Sequence, residues 1–138
     1  MQFLGNMIEY ELTKQNKHLI ILGASSGDTV SAAEEAMRSK NNIHVVMLTP
    51  KNGMSPFQKA QAGSILDHNI FNLSINGTFD ICQDLIKEVN NDLTFKHKHC
   101  IGAVNSINWG RITAQIVYYF KGYLSITKNI GDPLDVIV

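Results

Sequence analysis

The residues best suited to chemistry lie in one short string, Gly23-Ala24-Ser25-Ser26-Gly27-Asp28-Thr29. It follows the apolar run Leu19-Ile20-Ile21-Leu22 and precedes a segment rich in alanine (Ala32, Ala33, Ala36). A strand that enters a small polar loop, which then opens a helix, leaves backbone N–H groups exposed at the helix N-terminus. Those groups and the helix dipole favour an anion, so the loop is built to hold a phosphate or a carboxylate. Asp28 opposes that charge. The same residues also suit an ordinary helix N-cap, and the string by itself leaves that alternative open.

Two families use nearly this string. The first βα turn of short-chain dehydrogenases is similar from Gly23 to Gly27, but the glycine that lets a pyrophosphate approach is replaced by Thr29. About 20 residues further on, where a ribose-binding acid is expected, the chain reads Leu48-Thr49-Pro50. Tyr118 and Lys121 miss the Tyr-x-x-x-Lys spacing of that family. A dinucleotide site is therefore the weaker reading.

The second resemblance runs almost from end to end. Ala24-Ser25-Ser26-Gly27-Asp28-Thr29 is similar to the Ala-Thr-Ser-Gly-Asp-Thr-Gly loop of threonine synthases, pyridoxal-phosphate enzymes of fold type II. In the same order come Gln2-Phe3-Leu4-Gly5-Asn6, Pro50-Lys51 with Ser55-Pro56-Phe57-Gln58, and Asn76-Gly77-Thr78-Phe79-Asp80-Ile81-Cys82-Gln83-Asp84. Val104-Asn105-Ser106-Ile107-Asn108-Trp109-Gly110-Arg111 and Ala114-Gln115-Ile116-Val117-Tyr118-Tyr119-Phe120 complete the series. The chain resembles an internal piece of such an enzyme, mainly its small domain. The resemblance implies conversion of O-phosphohomoserine and water into threonine and phosphate. It places Ser25, Ser26, Gly27 and Thr29 on the substrate carboxylate, Asp28 at the cofactor ring hydroxyl, and Asn105, Ser106 and Arg111 on the leaving phosphate.

Departures from the family pattern limit what is expected of this chain alone. The Schiff-base lysine belongs about one helical turn upstream of Gln2, and the glycine-rich loop for the cofactor phosphate belongs after Val138. Val30 replaces the glycine that closes the family's loop, and its branched side chain is expected to narrow the approach of a ligand. The expectation is a chain that does not bind pyridoxal phosphate stably and has no complete catalytic site. A small-anion-binding module and a non-catalytic remnant are the alternatives.

The rest of the sequence bounds these readings. The 138 residues carry 12 basic and 12 acidic side chains, so formal net charge is zero and no electrostatic footprint for nucleic acid exists. Neither a basic signal-like start nor a membrane-length apolar run is present, and Cys82 and Cys100 fit no metal or redox spacing. These features point to a cytoplasmic protein with reduced thiols and with neither nucleic acid nor membrane as partner, and the resemblance implies a small phosphorylated amino acid as ligand. His97, His99 and Cys100 are close in sequence, but a solvated basic loop is the expected setting.

Periodicity supplies the elements that must position the loop. Phe3, Leu4, Met7, Ile8 and Leu12 have helical spacing, whereas Leu19–Leu22, Val45–Leu48, Ile70–Ile75 and Cys100–Val104 read as strands. Ser55-Pro56-Phe57-Gln58 is a capping box with proline at the first helical position. Thr78 is expected to cap a helix whose buried stripe is Phe79, Cys82, Leu85, Ile86 and Val89, and Asn90–His99 to form a loop. Ser106 is expected to cap a long helix with Trp109, Ile112, Ile116, Phe120 and Leu124 on one face, and Tyr118-Tyr119-Phe120 to serve in packing. Val136–Val138 reads as a further strand. Alternating strands and helices mean a three-layer α/β/α fold on a parallel sheet of roughly four strands. The expected division is a small domain over 1–105 and, over 106–138, a helix and strand returning toward a missing large domain. Its apolar faces imply self-association or a complementing chain.

Overall fold

A computed structural model describes residues 1–104 and 108–130. Contacts divide the chain into two units, Met1–Ser106 and Ile107–Val138. In the first unit the elements run α1 (Gln2–Gln15), β1 (Leu19–Ala24), α2 (Asp28–Met37), β2 (Ile43–Pro50), α3 (Pro56–Gly63), β3 (Ile70–Ile75), α4 (Phe79–Asn91), α5 (Leu93–Lys98) and β4 (Ile101–Ala103). The second unit contains α6 (Trp109–Ile130).

The four strands form one parallel sheet in the order β3-β2-β1-β4. Its centre is strongly apolar because parallel strands are covered on both faces. Ile21 on β1 and Ile43, Val45 and Met47 on β2 are buried with Val30 and Met37 of α2, Ala62 of α3 and Val104 after β4. Helix α2 packs between α1 and α3 on one side, while α4 rests on β1 and β2 and carries α5 beside it. Gly5 permits the close approach of α1 to α2. A Cβ there would stand 2.4 Å from the Ala36 carbonyl oxygen, so only a bare backbone lets α1 lie this close to α2. The Lys40 ammonium then clamps the two, donating to Asn6 Oδ1 at 2.7 Å and Glu9 Oε2 at 2.9 Å.

Several expectations need correction. On α1, Leu4, Ile8 and Leu12 face the core, but Phe3 and Met7 are exposed, because Gly5 rather than a large side chain makes the contact with α2. Thr78 is the N-cap of α4 without a side-chain cap bond. The polar stretch expected as a loop holds a helix instead. Asp92 Oδ1 accepts from the Phe95 N–H at 2.9 Å and starts α5, a local cap that apolar periodicity does not reveal. Tyr118, Tyr119 and Phe120 are exposed rather than packed, since α6 is the one element of its unit among the described residues. The cap expected at Ser106 and the strand expected at Val136–Val138 lie outside the described residues.

One buried group is out of keeping with its surroundings. Glu34 on α2 is fully buried, and neither carboxyl oxygen has a hydrogen-bond partner. Burial pushes its pKa up to about 7. The Asn72 amide, which already donates to the Ala62 carbonyl at 3.3 Å, offsets only part of that rise. The folded state therefore holds the proton more tightly than the unfolded chain. Stability should fall as pH rises from about 4.5 to about 7 and stay level above that. A shift of this size corresponds to a penalty on the order of 3 kcal/mol once the group is ionised. Glu34→Gln should flatten the profile, checked by thermal midpoints at about pH 5 and about pH 8. The same slope in both proteins would assign the pH dependence to other groups.

Candidate functional site

Sheet order decides where a ligand can enter. From β1 the chain crosses over α2 to β2 on one side, whereas β4 pairs with β1 on its other edge after the crossover through α4 and α5. Strand order thus reverses at the β1/β4 pair, and in open α/β sheets the crevice at the carboxyl end of such a pair is where ligands bind. Leu22 pairs with Ala103, so the loop after β1 and the segment after β4 emerge side by side. A Cβ on Gly23 would lie 3.6 Å from the Val104 carbonyl oxygen and 3.0 Å from Met47 Sδ, which shows how tightly the floor of that crevice is closed.

The loop reaches α2 through a local turn. The Ser25 N–H donates to the Leu48 carbonyl at 3.2 Å, extending the β1–β2 ladder by one residue. The Ser25 hydroxyl oxygen accepts from the Gly27 N–H at 3.2 Å. Gly27 is the N-cap of α2, in extended conformation and without a side-chain cap bond, and the Val30 N–H donates back to its carbonyl at 3.3 Å. The first N–H groups of a helix have no intrahelical acceptor. With those of Gly27 and Val30 taken, the Asp28 and Thr29 N–H groups remain at the positive end of the helix dipole. Ser25, Ser26, Gly27 and Thr29 are half-buried, and Asp28 is exposed.

Helix α3 packs on α2 beside the loop. Ser55 Oγ accepts from the Gln58 N–H at 3.2 Å, and Gln58 Oε1 accepts from the Ser55 N–H at 3.1 Å, which is the capping box expected from the sequence. The far end of the same side chain reaches the loop: Gln58 Nε2 donates to Asp28 Oδ1 at 3.5 Å. Sequence reading found Gln58 as a cap but missed this second contact, which depends on how α3 packs on α2.

The sequence-based site residues divide between the units. Ser25, Ser26, Gly27, Asp28 and Thr29 come together at the head of α2. Asn105 and Ser106 lie outside the described residues, and Arg111 stands half-buried on α6 in the second unit. Val30 does not narrow the loop as expected. It lies in the first turn of α2 with its side chain fully buried in the core, so a branched residue is accommodated without positive φ. No group of three or more metal-ligating side chains exists among the described residues, and none of the described helices is long and apolar enough to cross a membrane. Cys82 and Cys100 are free thiols.

No family model matches the chain. Its relatives are nonetheless clear. It is 58% identical over 129 residues to the threonine synthase of Methylobacillus glycogenes, which covers 94% of this chain and 27% of that protein. The threonine synthase of Saccharomyces cerevisiae is 44% identical over 137 residues, again covering 94% of this chain and 27% of the relative. Among solved structures, the PLP-bound threonine synthase from Brucella melitensis superposes with a TM-score of 0.84 at 43% identity, over 91% of this chain and 27% of that one. The chain thus spans about 27% of the length of the relatives it matches. In sequence and in its four-stranded parallel sheet, nearly the whole of this chain is homologous to one segment of the threonine synthases.

Proposed function

We propose that this chain furnishes the substrate-holding side of a threonine synthase site, whose reaction turns O-phosphohomoserine and water into threonine and phosphate. The observation that supports the reading is the position of the Ser25–Thr29 loop, at a helix N-terminus and at the carboxyl end of β1 where the strand order reverses. The Asp28 and Thr29 N–H groups, with Ser26 beside them, take the substrate α-carboxylate. Ser25 keeps Gly27 in place from within the loop. Asn105, Ser106 and Arg111 take the leaving phosphate, for which a guanidinium fork is matched in geometry and charge.

Pyridoxal phosphate, when bound, supplies the electron sink for such a reaction. Of the loop residues, Asp28 fits the cofactor as a carboxylate acceptor for its ring hydroxyl. The aldehyde needs an amine, and the hydrogen-bond partners of the loop from other elements are Gln58 and Leu48, neither of which offers one. Three lysine ammonium groups of the first unit are engaged elsewhere: Lys40 with Asn6 and Glu9, Lys59 with the Lys51 carbonyl, Lys87 with Asp84. These residues therefore fit the ring hydroxyl and the substrate, and do not fit the aldehyde.

Titration with inorganic phosphate and with O-phosphohomoserine, followed by backbone amide shifts, tests the site. The Ser26, Gly27, Asp28 and Thr29 amides should move, with affinity of roughly millimolar order because Asp28 opposes the anion. Movement confined to other residues would overturn the reading. Pyridoxal phosphate added to this chain should give no stoichiometric absorbance band traceable to one lysine, and O-phosphohomoserine should yield no threonine. A band abolished by substituting a single lysine would refute that part.

The chain is also proposed to self-associate through α6, where Val117, Tyr118, Phe120 and Leu124 are each more than 60% exposed. An apolar surface of that extent on a helix normally finds a partner. Sedimentation at high concentration should show oligomers that Phe120→Glu with Leu124→Glu shifts toward monomer. A monodisperse monomer of the unaltered chain would exclude it.

A further inference from the structure

We infer that Gln58 is a positioning residue for the anion loop: it holds the Asp28 carboxylate and offsets its charge at the head of α2. The inference rests on the proposed role of that loop and extends it to a residue on a different element.

The hydrogen-bond network fixes which way the Gln58 amide points. The Ser55 N–H can only donate, so the oxygen Oε1 must face it, at 3.1 Å. The nitrogen Nε2 is thereby left on the side of the loop, 3.5 Å from Asp28 Oδ1. It also lies 3.5 Å from where a Cβ on Gly27 would stand, so it sits directly over the N-cap of α2. One planar group thus closes the start of α3 with its oxygen and spans to the start of α2 with its nitrogen.

This double duty explains a choice that capping alone does not. Glutamate closes a capping box as well as glutamine does. At this position glutamate would keep the bond from the Ser55 N–H, but it would set a carboxylate against Asp28 where an N–H donor now stands. Two negative charges would then crowd the helix N-terminus that is meant to attract an anion. Glutamine gives the cap and the donor together. The Asp28 carboxylate, which by itself repels a phosphate or carboxylate ligand, has one oxygen drawn toward α3 and its charge partly balanced there.

The isosteric variant separates the two duties. Gln58→Glu preserves the cap, so α3 should stay folded, yet phosphate binding to the full chain should weaken about three-fold. Adding Asp28→Asn to that variant should restore the affinity, because the amide can donate to the new carboxylate. A residue serving only as a cap would leave the gain from Asp28→Asn the same in the parent and in Gln58→Glu, whereas the bridge makes that gain larger in Gln58→Glu. Gln58→Ala, which loses both contacts, should weaken binding less than Gln58→Glu. A second reading needs no ligand: in the unliganded chain, Asp28→Asn should shift the Gln58 side-chain amide proton resonances and leave the Ser55 backbone amide in place. Unchanged affinity in Gln58→Glu, or no rescue by Asp28→Asn, would overturn the inference. If the parent chain takes no phosphate, the site reading falls, and the Gln58 side-chain resonances then decide the bridge: a shift upholds the contact with Asp28, and no shift removes it.

Discussion

The Asn69 side chain is the constraint on which the first unit depends. It is about 1% exposed, and its amide nitrogen donates to the carbonyls of Met37 and Ile43, each at 2.9 Å. Its oxygen accepts from the Ser39 N–H at 3.1 Å. Met37 ends α2, Ile43 begins β2, and Asn69 itself precedes β3 while its own carbonyl accepts from the Val45 N–H. One amide therefore gives the last helix carbonyl a second donor beside the Lys40 N–H, closes the turn after the helix and sets where two strands begin. The buried amide itself, left without these partners, would cost about 1–3 kcal/mol. No apolar residue of the same size could replace it.

That anchoring matters at the other end of α2. The helix is held at its C-terminal end by Asn69 and approached at its N-terminal end by Gln58, with Val30, Ala33 and Met37 buried between. An anion loop needs its donors fixed, because backbone N–H groups that reorient on binding lose the advantage of preorganisation. Burial of an unpaired Glu34 in this same helix is a cost the rest of the helix must offset. Its packing and its two fastened ends provide the means.

Much of this was legible in the sequence because it is written in local chemistry. The capping box at Ser55–Gln58 predicts the start of α3, and the unbroken apolar runs predict a parallel sheet buried on both faces. The loop from Ser25 to Thr29 was recognisable from its small residues and its place between strand and helix. What escaped was set by tertiary packing. Phe3 and Met7 have the spacing of core residues, but Gly5 decides which side of α1 turns inward. Helix α5 rests on a single capping aspartate in a polar stretch without periodicity. Val30 looked like an obstruction at the loop, since sequence cannot tell that the first turn of α2 already points that side chain into the core. The reach of Gln58 to Asp28 joins residues 30 apart and had no local signature.

The non-glycine residues with positive φ have an uneven distribution. Asn16 precedes β1, Ser39 and Asn42 lie between α2 and β2, and Cys100 precedes β4. All four sit where helices hand over to strands, which in a parallel sheet is the edge opposite the anion loop. Asparagine tolerates the left-handed region, but serine and cysteine there cost roughly 1 kcal/mol each. The joints on the ligand side carry no such residue among those described. Conformational strain and the loop proposed to hold an anion are thus segregated to opposite rims of one sheet. Sequence drift, or engineering toward glycine, can relax the strained rim and alter how firmly the unit folds without disturbing the atoms of the Ser25–Thr29 loop. Robustness and recognition thereby become independently adjustable, because strand direction sets the two on opposite edges of the sheet.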